Sequence, residues 1–184
     1  MKLVNLIEED FTNYKEPGMF LGFPFCSGKC NTTIGGPPLC QNHKLRRAKL
    51  IDISAKEIIT RYYNNPISKC LIFGGLEPFD SFPDVVEIID KLHNCDTFLP
   101  YGIKRTENGG YRTVHDEVVV IYTGYYPWEI EDKLYELSKF DPYENILIKF
   151  GRYLPNYEPH YDRNLGVKLA SDNQFSLWLY QLMA

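Results

Sequence analysis

Lys69-Cys70-Leu71-Ile72-Phe73-Gly74-Gly75-Leu76-Glu77-Pro78 is the stretch on which the reading of this fold turns. The run from Lys69 to Phe73 is short and apolar, which suits a buried strand. The glycine pair predicts a turn at its end. From Phe82 to His93 apolar residues then recur at helical spacing, at Val85, Val86, Ile88, Ile89 and Leu92. A buried strand, a tight turn and an amphipathic helix make up half of a parallel crossover unit.

The rest of the chain extends this pattern in both directions. Residues 2–8 and 17–23 predict short strands. Residues 26–50 are too rich in Gly, Pro and Asn for a regular element and predict a loop. Ser54-Ala55-Lys56-Glu57 fits a capping box and opens a helix to about Asn64. Residues 94–115 are irregular, with Glu107-Asn108-Gly109-Gly110 as the turn of a candidate hairpin. Glu117-Val118-Val119-Val120-Ile121-Tyr122 is the strongest strand, and Pro127 opens a helix to about Lys139. Residues 145–150 and 165–170 read as further strands, and 172–183 as a terminal helix. The alternation predicts an α/β fold with a largely parallel sheet and right-handed crossovers. Sites in such sheets lie at the carboxyl ends of the strands. The unusual loops fall there, at 26–40, 74–80, 123–126 and 151–161.

At 184 residues the chain predicts one domain over 1–184, with the loop 24–50 inside it. It is too short for a complete eight-stranded α/β barrel of about 250 residues. Its net charge of −4 argues against direct nucleic-acid binding overall. The local exception is His43-Lys44-Leu45-Arg46-Arg47-Ala48-Lys49, a run that is more often a solvated face than a docking surface. No apolar run approaches the roughly 18 residues of a membrane span. The N-terminus turns acidic at Glu8-Glu9-Asp10 before a signal sequence could form, so the expectation is a cytoplasmic protein. Five cysteines, an odd number, point away from disulfides and towards metal binding or chemistry.

Three of those cysteines are spaced Cys26-x3-Cys30-x9-Cys40, with His43 two residues further on. Soft ligands so close together on a flexible loop suggest a metal. Zinc would take three thiolates and His43 in a closed tetrahedral site. An iron–sulfur cluster, normally held by four cysteines, could use these three and leave one iron open to a substrate. Gly74 and Gly75 let backbone groups approach a ligand closely, and Glu77 adds an anion suited to an ammonium group. Thr123-Gly124-Tyr125 ends a strand in the same way, and Ser171 or Asp172 could cap a helix. Cys70 reads as core and Cys95 has no assignable partner. His93, His115 and His160 are isolated, and neither a Walker loop nor a dinucleotide fingerprint occurs.

Taken together these motifs resemble the radical S-adenosylmethionine superfamily, and within it the activating proteins of anaerobic ribonucleoside-triphosphate reductases. The resemblance rests on Cys26, Cys30 and Cys40 after the first strands, and on Gly74-Gly75-Leu76-Glu77-Pro78, which looks like the family's Gly-Gly-Glu-Pro motif. It rests also on Val120-Ile121-Tyr122-Thr123-Gly124-Tyr125, and on Tyr161-Asp162-Arg163-Asn164-Leu165-Gly166 with Ala170-Ser171-Asp172-Asn173-Gln174. It spans about residues 17–175 in order. The chain departs from the family in three places. Nine residues stand where the usual cysteine loop has two, Leu39 occupies a position that is often aromatic, and Leu76 is inserted in the glycine motif.

The resemblance implies an incomplete (β/α) barrel of about five to six mostly parallel strands. It implies a 4Fe–4S cluster on Cys26, Cys30 and Cys40, with S-adenosylmethionine as second cofactor, bound through Gly74, Gly75, Glu77, Pro78, Thr123 and Gly124. The implied partners are a glycyl-radical enzyme, with the anaerobic reductase foremost, and an electron donor such as flavodoxin or ferredoxin. The reaction it implies is a one-electron cleavage of the sulfonium, followed by hydrogen abstraction from a glycine Cα. Two alternatives stay open: a zinc-binding Cys3His interaction module without catalysis, and a radical enzyme acting on another peptide or a small molecule.

Overall fold

The computed structural model describes residues 1–29, 40–93, 103–105, 111–113, 117–140 and 145–184. In chain order they form β1 (Lys2–Leu3), β2 (Asn5–Asp10), β3 (Gly18–Phe23), β4 (Ile51–Asp52), α1 (Ala55–Asn64), β5 (Cys70–Gly75), α2 (Phe82–His93), β6 (Ile103–Arg105) and β7 (Tyr111–Thr113). Then follow β8 (Val118–Tyr122), α3 (Glu131–Leu137), β9 (Ile146–Phe150), β10 (His160–Asp162), β11 (Val167–Leu169), β12 (Phe175–Trp178) and α4 (Leu179–Met183). No helix among the described residues is long and apolar enough to cross a membrane.

The main sheet has six strands in the order β12-β9-β8-β5-β3-β2. Its centre, β3-β5-β8-β9, is parallel, while β2 and β12 close the two edges antiparallel. The fold is therefore mixed α/β, and among the described residues the sheet is open and does not close into a barrel. Side chains alternate strictly across it. Met19, Leu21, Phe23, Leu71, Phe73, Val119, Ile121, Ile146, Ile148 and Phe150 face one way and pack with all four helices into the larger core. Ile58, Ile59 and Tyr62 of α1 and Val85, Ile88, Ile89 and Leu92 of α2 are essentially solvent-free there. Burying each such aliphatic side chain contributes about 1.5–3 kcal/mol.

On the opposite face no helix packs among the described residues. Cys70, Ile72, Val120 and Leu147 are covered at the amino-terminal half of the strands by Tyr14, Leu165 and Leu169, the last two from the β10–β11 hairpin region. Phe20, Gly22, Gly74, Tyr122 and Lys149 continue that face towards the carboxyl ends. The cavity described below lies there.

Several expectations are corrected. Residues 172–183 are not one helix: 175–178 form edge strand β12, paired with β9, and only 179–183 are helical. Phe175 and Leu177 pack with the larger core, while Ser176 donates from its backbone N and from Oγ to Asp162. Residues 167–169 pair with 160–162 in a separate hairpin and do not join the main sheet. The helix expected from Pro127 is broken at Ile130 into a 3-10 turn and α3. Ser54 does cap α1, accepting from Glu57 N at 3.1 Å, but the Glu57 carboxylate turns away to Arg61 at 2.6 Å. Within 94–115, β6 and β7 pair antiparallel as a hairpin would, and their connecting turn lies outside the described residues.

Candidate functional site

A cavity of about 560 Å³ occupies the uncovered part of the sheet at the carboxyl ends of the parallel strands. That volume falls within the range of small-molecule sites. Cys26, Cys40, Gly74, Gly75, Glu77, Thr123 and Gly124 all line it. One space therefore receives loops that follow β3, β5 and β8.

Glycines create the room. Gly74 faces the cavity, and a Cβ there would come 2.8 Å from the Phe20 ring. Gly75 has φ +84°, and a Cβ on it would lie 2.7 Å from the Gly22 Cα and the Phe23 N. Only glycine lets β5 run this close to β3 while turning out of the sheet. The two residues are also paired within the sheet, Gly74 with Gly22 and Gly75 with Phe23, so the expected turn begins after them, at Leu76.

Glu77 is only 6% exposed and is held by three donors. Thr123 Oγ1 (2.8 Å) and Phe79 N (3.1 Å) donate to Oε1, and Gly124 N (2.9 Å) donates to Oε2. Burial nevertheless pushes its carboxyl from 4.5 up to about 7, against these donors and with the Asp80 charge adding to the rise. Sequence reading took Glu77 as an anion for a ligand and Thr123-Gly124 as further ligand contacts. In the structure these residues bind one another across the β5 and β8 exits and form one wall. Pro78 sits behind them, buried at the start of a 3-10 turn over Pro78–Ser81.

The cysteine loop is anchored from both ends. Cys26 accepts from Gly28 N at 3.3 Å, and burial pushes its thiol up, opposed by that bond and by the nearby Arg46 charge. Beside it, Ser27 N donates to Asp80 Oδ2, Tyr125 Oη donates to Asp80 Oδ1 at 2.6 Å, and Ser27 Oγ is 3.1 Å from Tyr125 Oη. Burial and the bond to Asp80 raise the Tyr125 hydroxyl to about 12, so it stays protonated as donor. Lys29 lies over the Tyr125 ring at 4.6 Å and 3.7 Å from Glu129, which also takes Arg152 at 2.6 Å. At the other end Asn42 Nδ2 donates to Gly75 O at 2.6 Å, tying the segment after Cys40 to the glycine strand. The Gly75 carbonyl is thus already engaged by protein. Cys30, and with it residues 31–39, lies outside the described residues, as does Cys95.

His43 does not line the cavity. Its Nδ1 is 3.0 Å from the Cys40 carbonyl, which can only accept, so Nδ1 carries the proton and Nε2 is left as the basic nitrogen. Cys70 is core, with its sulfur 2.6 Å from where a Gly18 Cβ would stand. Residues 170–174 bind themselves instead of capping a helix: Gln174 Oε1 accepts from Ala170 N and Ser171 N, and its Nε2 donates to Gly151 O at 3.2 Å.

Sequence reading gave Asn42 and Asp80 no role at the site and took Tyr125 only as part of a strand exit, because their partners are distant in the chain. It also missed Lys149, a buried β9 residue on the cavity wall that donates to Gly151 O at 2.8 Å. Its one available signal was a lysine in the apolar run Ile146-Leu147-Ile148-Lys149-Phe150. No protein-family model, no curated protein and no solved structure matches this chain.

Proposed function

We propose that the chain is a radical S-adenosylmethionine activase that generates a glycyl radical on a partner anaerobic ribonucleoside-triphosphate reductase. The observation that carries this reading is the convergence of Cys26 and Cys40, 14 residues apart, on one cavity with the Gly74-Gly75 strand end. Soft thiol donors facing a space of about 560 Å³ suit a cluster together with a small organic ligand. A structural zinc site needs no such space. The open sheet, whose described helices pack on one face, is consistent with a radical-type incomplete barrel.

In this reading Cys26, Cys30 and Cys40 hold a 4Fe–4S cluster. When bound, the cluster would supply the one electron for reductive cleavage of the sulfonium, and with it the hydrogen-abstracting chemistry directed at a glycine Cα. The residues of the chain position and enclose. The Ser27–Asp80–Tyr125 contacts hold the Cys26 loop, and Asn42 holds the Cys40 end against Gly75. The Phe20 ring and the bare backbone at Gly74 adjoin on the cavity wall. Lys149 offers a cation on the wall for an anionic end of the ligand.

The decisive test is anaerobic reconstitution with iron and sulfide, then metal analysis and EPR of the reduced protein with and without S-adenosylmethionine. The expected result is a 4Fe–4S signal that changes on adding S-adenosylmethionine and is lost in Cys40→Ala. One observation favours zinc as a second reading, since the His43 Nδ1–H bond to the Cys40 carbonyl is the orientation a metal-binding imidazole often has. Stoichiometric zinc, lost in His43→Ala and accompanied by no cluster, would overturn the activase and establish that alternative.

A further inference from the structure

Residues 24–50 contain five basic side chains, Lys29, Lys44, Arg46, Arg47 and Lys49, and no Asp or Glu. The remaining 157 residues hold the other 15 basic and all 24 acidic side chains, so a segment of +5 sits on a body of −9. Four of the five cations fall within the exposed segment around the 3-10 turn at His43–Arg47. None of those four is ion-paired with a described residue. Like charges so close together repel, and carboxylates that could have neutralised them are plentiful elsewhere on the chain.

The patch adjoins the site. Arg46 reaches within 3.3 Å of the Cβ position of Gly28, two residues after Cys26. Asn42 and Leu45 from the same segment line the cavity. Phe25, 55% exposed in the loop just before Cys26, offers an aromatic side chain of the kind that anchors protein interfaces.

We propose that the 43–49 segment is the docking surface for a small acidic electron-carrier protein of the flavodoxin or ferredoxin class, which it orients towards the Cys26–Cys40 loop. This inference rests on the radical reading, because only a redox site needs such a partner. One electron leaves the reduced carrier and enters the metal centre; the carrier is oxidised by one electron, and no bond to this chain forms or breaks. The rest of the surface, at −9, repels an acidic partner, so the patch selects a single approach. Steering of this kind raises association rates by about 10–10³ and weakens with salt. A nucleic-acid duplex fits less well. It carries about one negative charge per 1.7 Å and would run beyond a patch this small onto the acidic body.

The test compares the reconstituted protein with a Lys44→Glu/Arg47→Glu variant, both exposed positions outside the cavity wall. Flavodoxin affinity is measured at low and high salt, and the rate of centre reduction by reduced flavodoxin is followed by absorbance. Deazaflavin photoreduction provides a carrier-free control. The expected result is wild-type affinity that falls with salt, and at least about a tenfold loss of affinity and rate in the variant. Cluster content, melting temperature and photoreduction should be unchanged. Equal, salt-independent affinities with full clusters in both proteins would overturn the docking surface and leave the activase reading intact. A wild-type chain that takes up no cluster would overturn both. Tighter salt-dependent binding of a DNA or RNA duplex than of flavodoxin would overturn the choice of partner.

Discussion

Glu77 shows how much a single side chain depends on its surroundings. In the sequence it is one carboxylate after a glycine pair; in the fold it is buried, takes three hydrogen bonds and has its carboxyl raised from 4.5 to about 7. Between those values the folded chain keeps a proton that the unfolded chain has released. The resulting stability is fully present below about pH 4.5 and is lost as pH rises through about 7. Glu77→Gln, which cannot ionise, should remove that fall. Its amide N–H₂ faces the Gly124 N–H, so the variant should also be less stable at low pH by about 1–3 kcal/mol. Melting temperatures of both proteins from about pH 5 to 8 check this, with the wild type expected to decline the more steeply. Parallel pH profiles would refute the assignment.

At the scale of elements, the site depends on loops held to strand ends by residues far away in the chain. Tyr125 follows β8, Asp80 follows β5 and Ser27 follows β3; their mutual hydrogen bonds fasten three loops together. Tyr125→Phe keeps the buried ring and deletes only the hydroxyl contacts. We expect a stability loss of about 1 kcal/mol, with alkylation of Cys26 by iodoacetamide several-fold faster as its loop loosens. Cys70, enclosed in β5, should keep its slow rate and serves as the internal control. Peptide-resolved mass spectrometry reads both, and an unchanged Cys26 rate would show that the hydroxyl does not restrain the loop. None of these contacts was legible in the sequence, because a hydrogen bond between positions 27 and 125 leaves no local pattern.

At the scale of the whole molecule, the face of the sheet on which no described helix packs is covered by other means. The amino-terminal half is covered through Asp162, which is buried and accepts from Leu165 N (2.9 Å), Ser176 N (3.0 Å) and Ser176 Oγ (2.6 Å). It joins the β10–β11 hairpin to edge strand β12. Asp162→Ala leaves those donors without their acceptor and should cost about 2–3 kcal/mol. Hydrogen exchange should quicken across β10, β11 and β12 while β5 and β8 stay protected; uniform quickening would show instead that the hairpin and the sheet open as one unit.

The sequence by itself determined the α/β class, the central strands and the two long helices, because short continuous apolar runs and the 3.6-residue helical period are written locally. It also located the candidate loops, since Gly, Pro and Cys mark them wherever the chain goes. Tertiary structure alone decided the course of residues 172–183. Phe175-Ser176-Leu177-Trp178 has apolar spacing compatible with either a helix or a strand, and the free edge of β9 together with Asp162 selects the strand. It alone brought Cys26, Cys40 and the Gly74-Gly75 end to one cavity, and it alone turned Glu77, Thr123 and Gly124 towards one another. The physical reason is the same in each case: local periodicity records which face of an element is buried, whereas a site is made by the partners that distant segments bring to it.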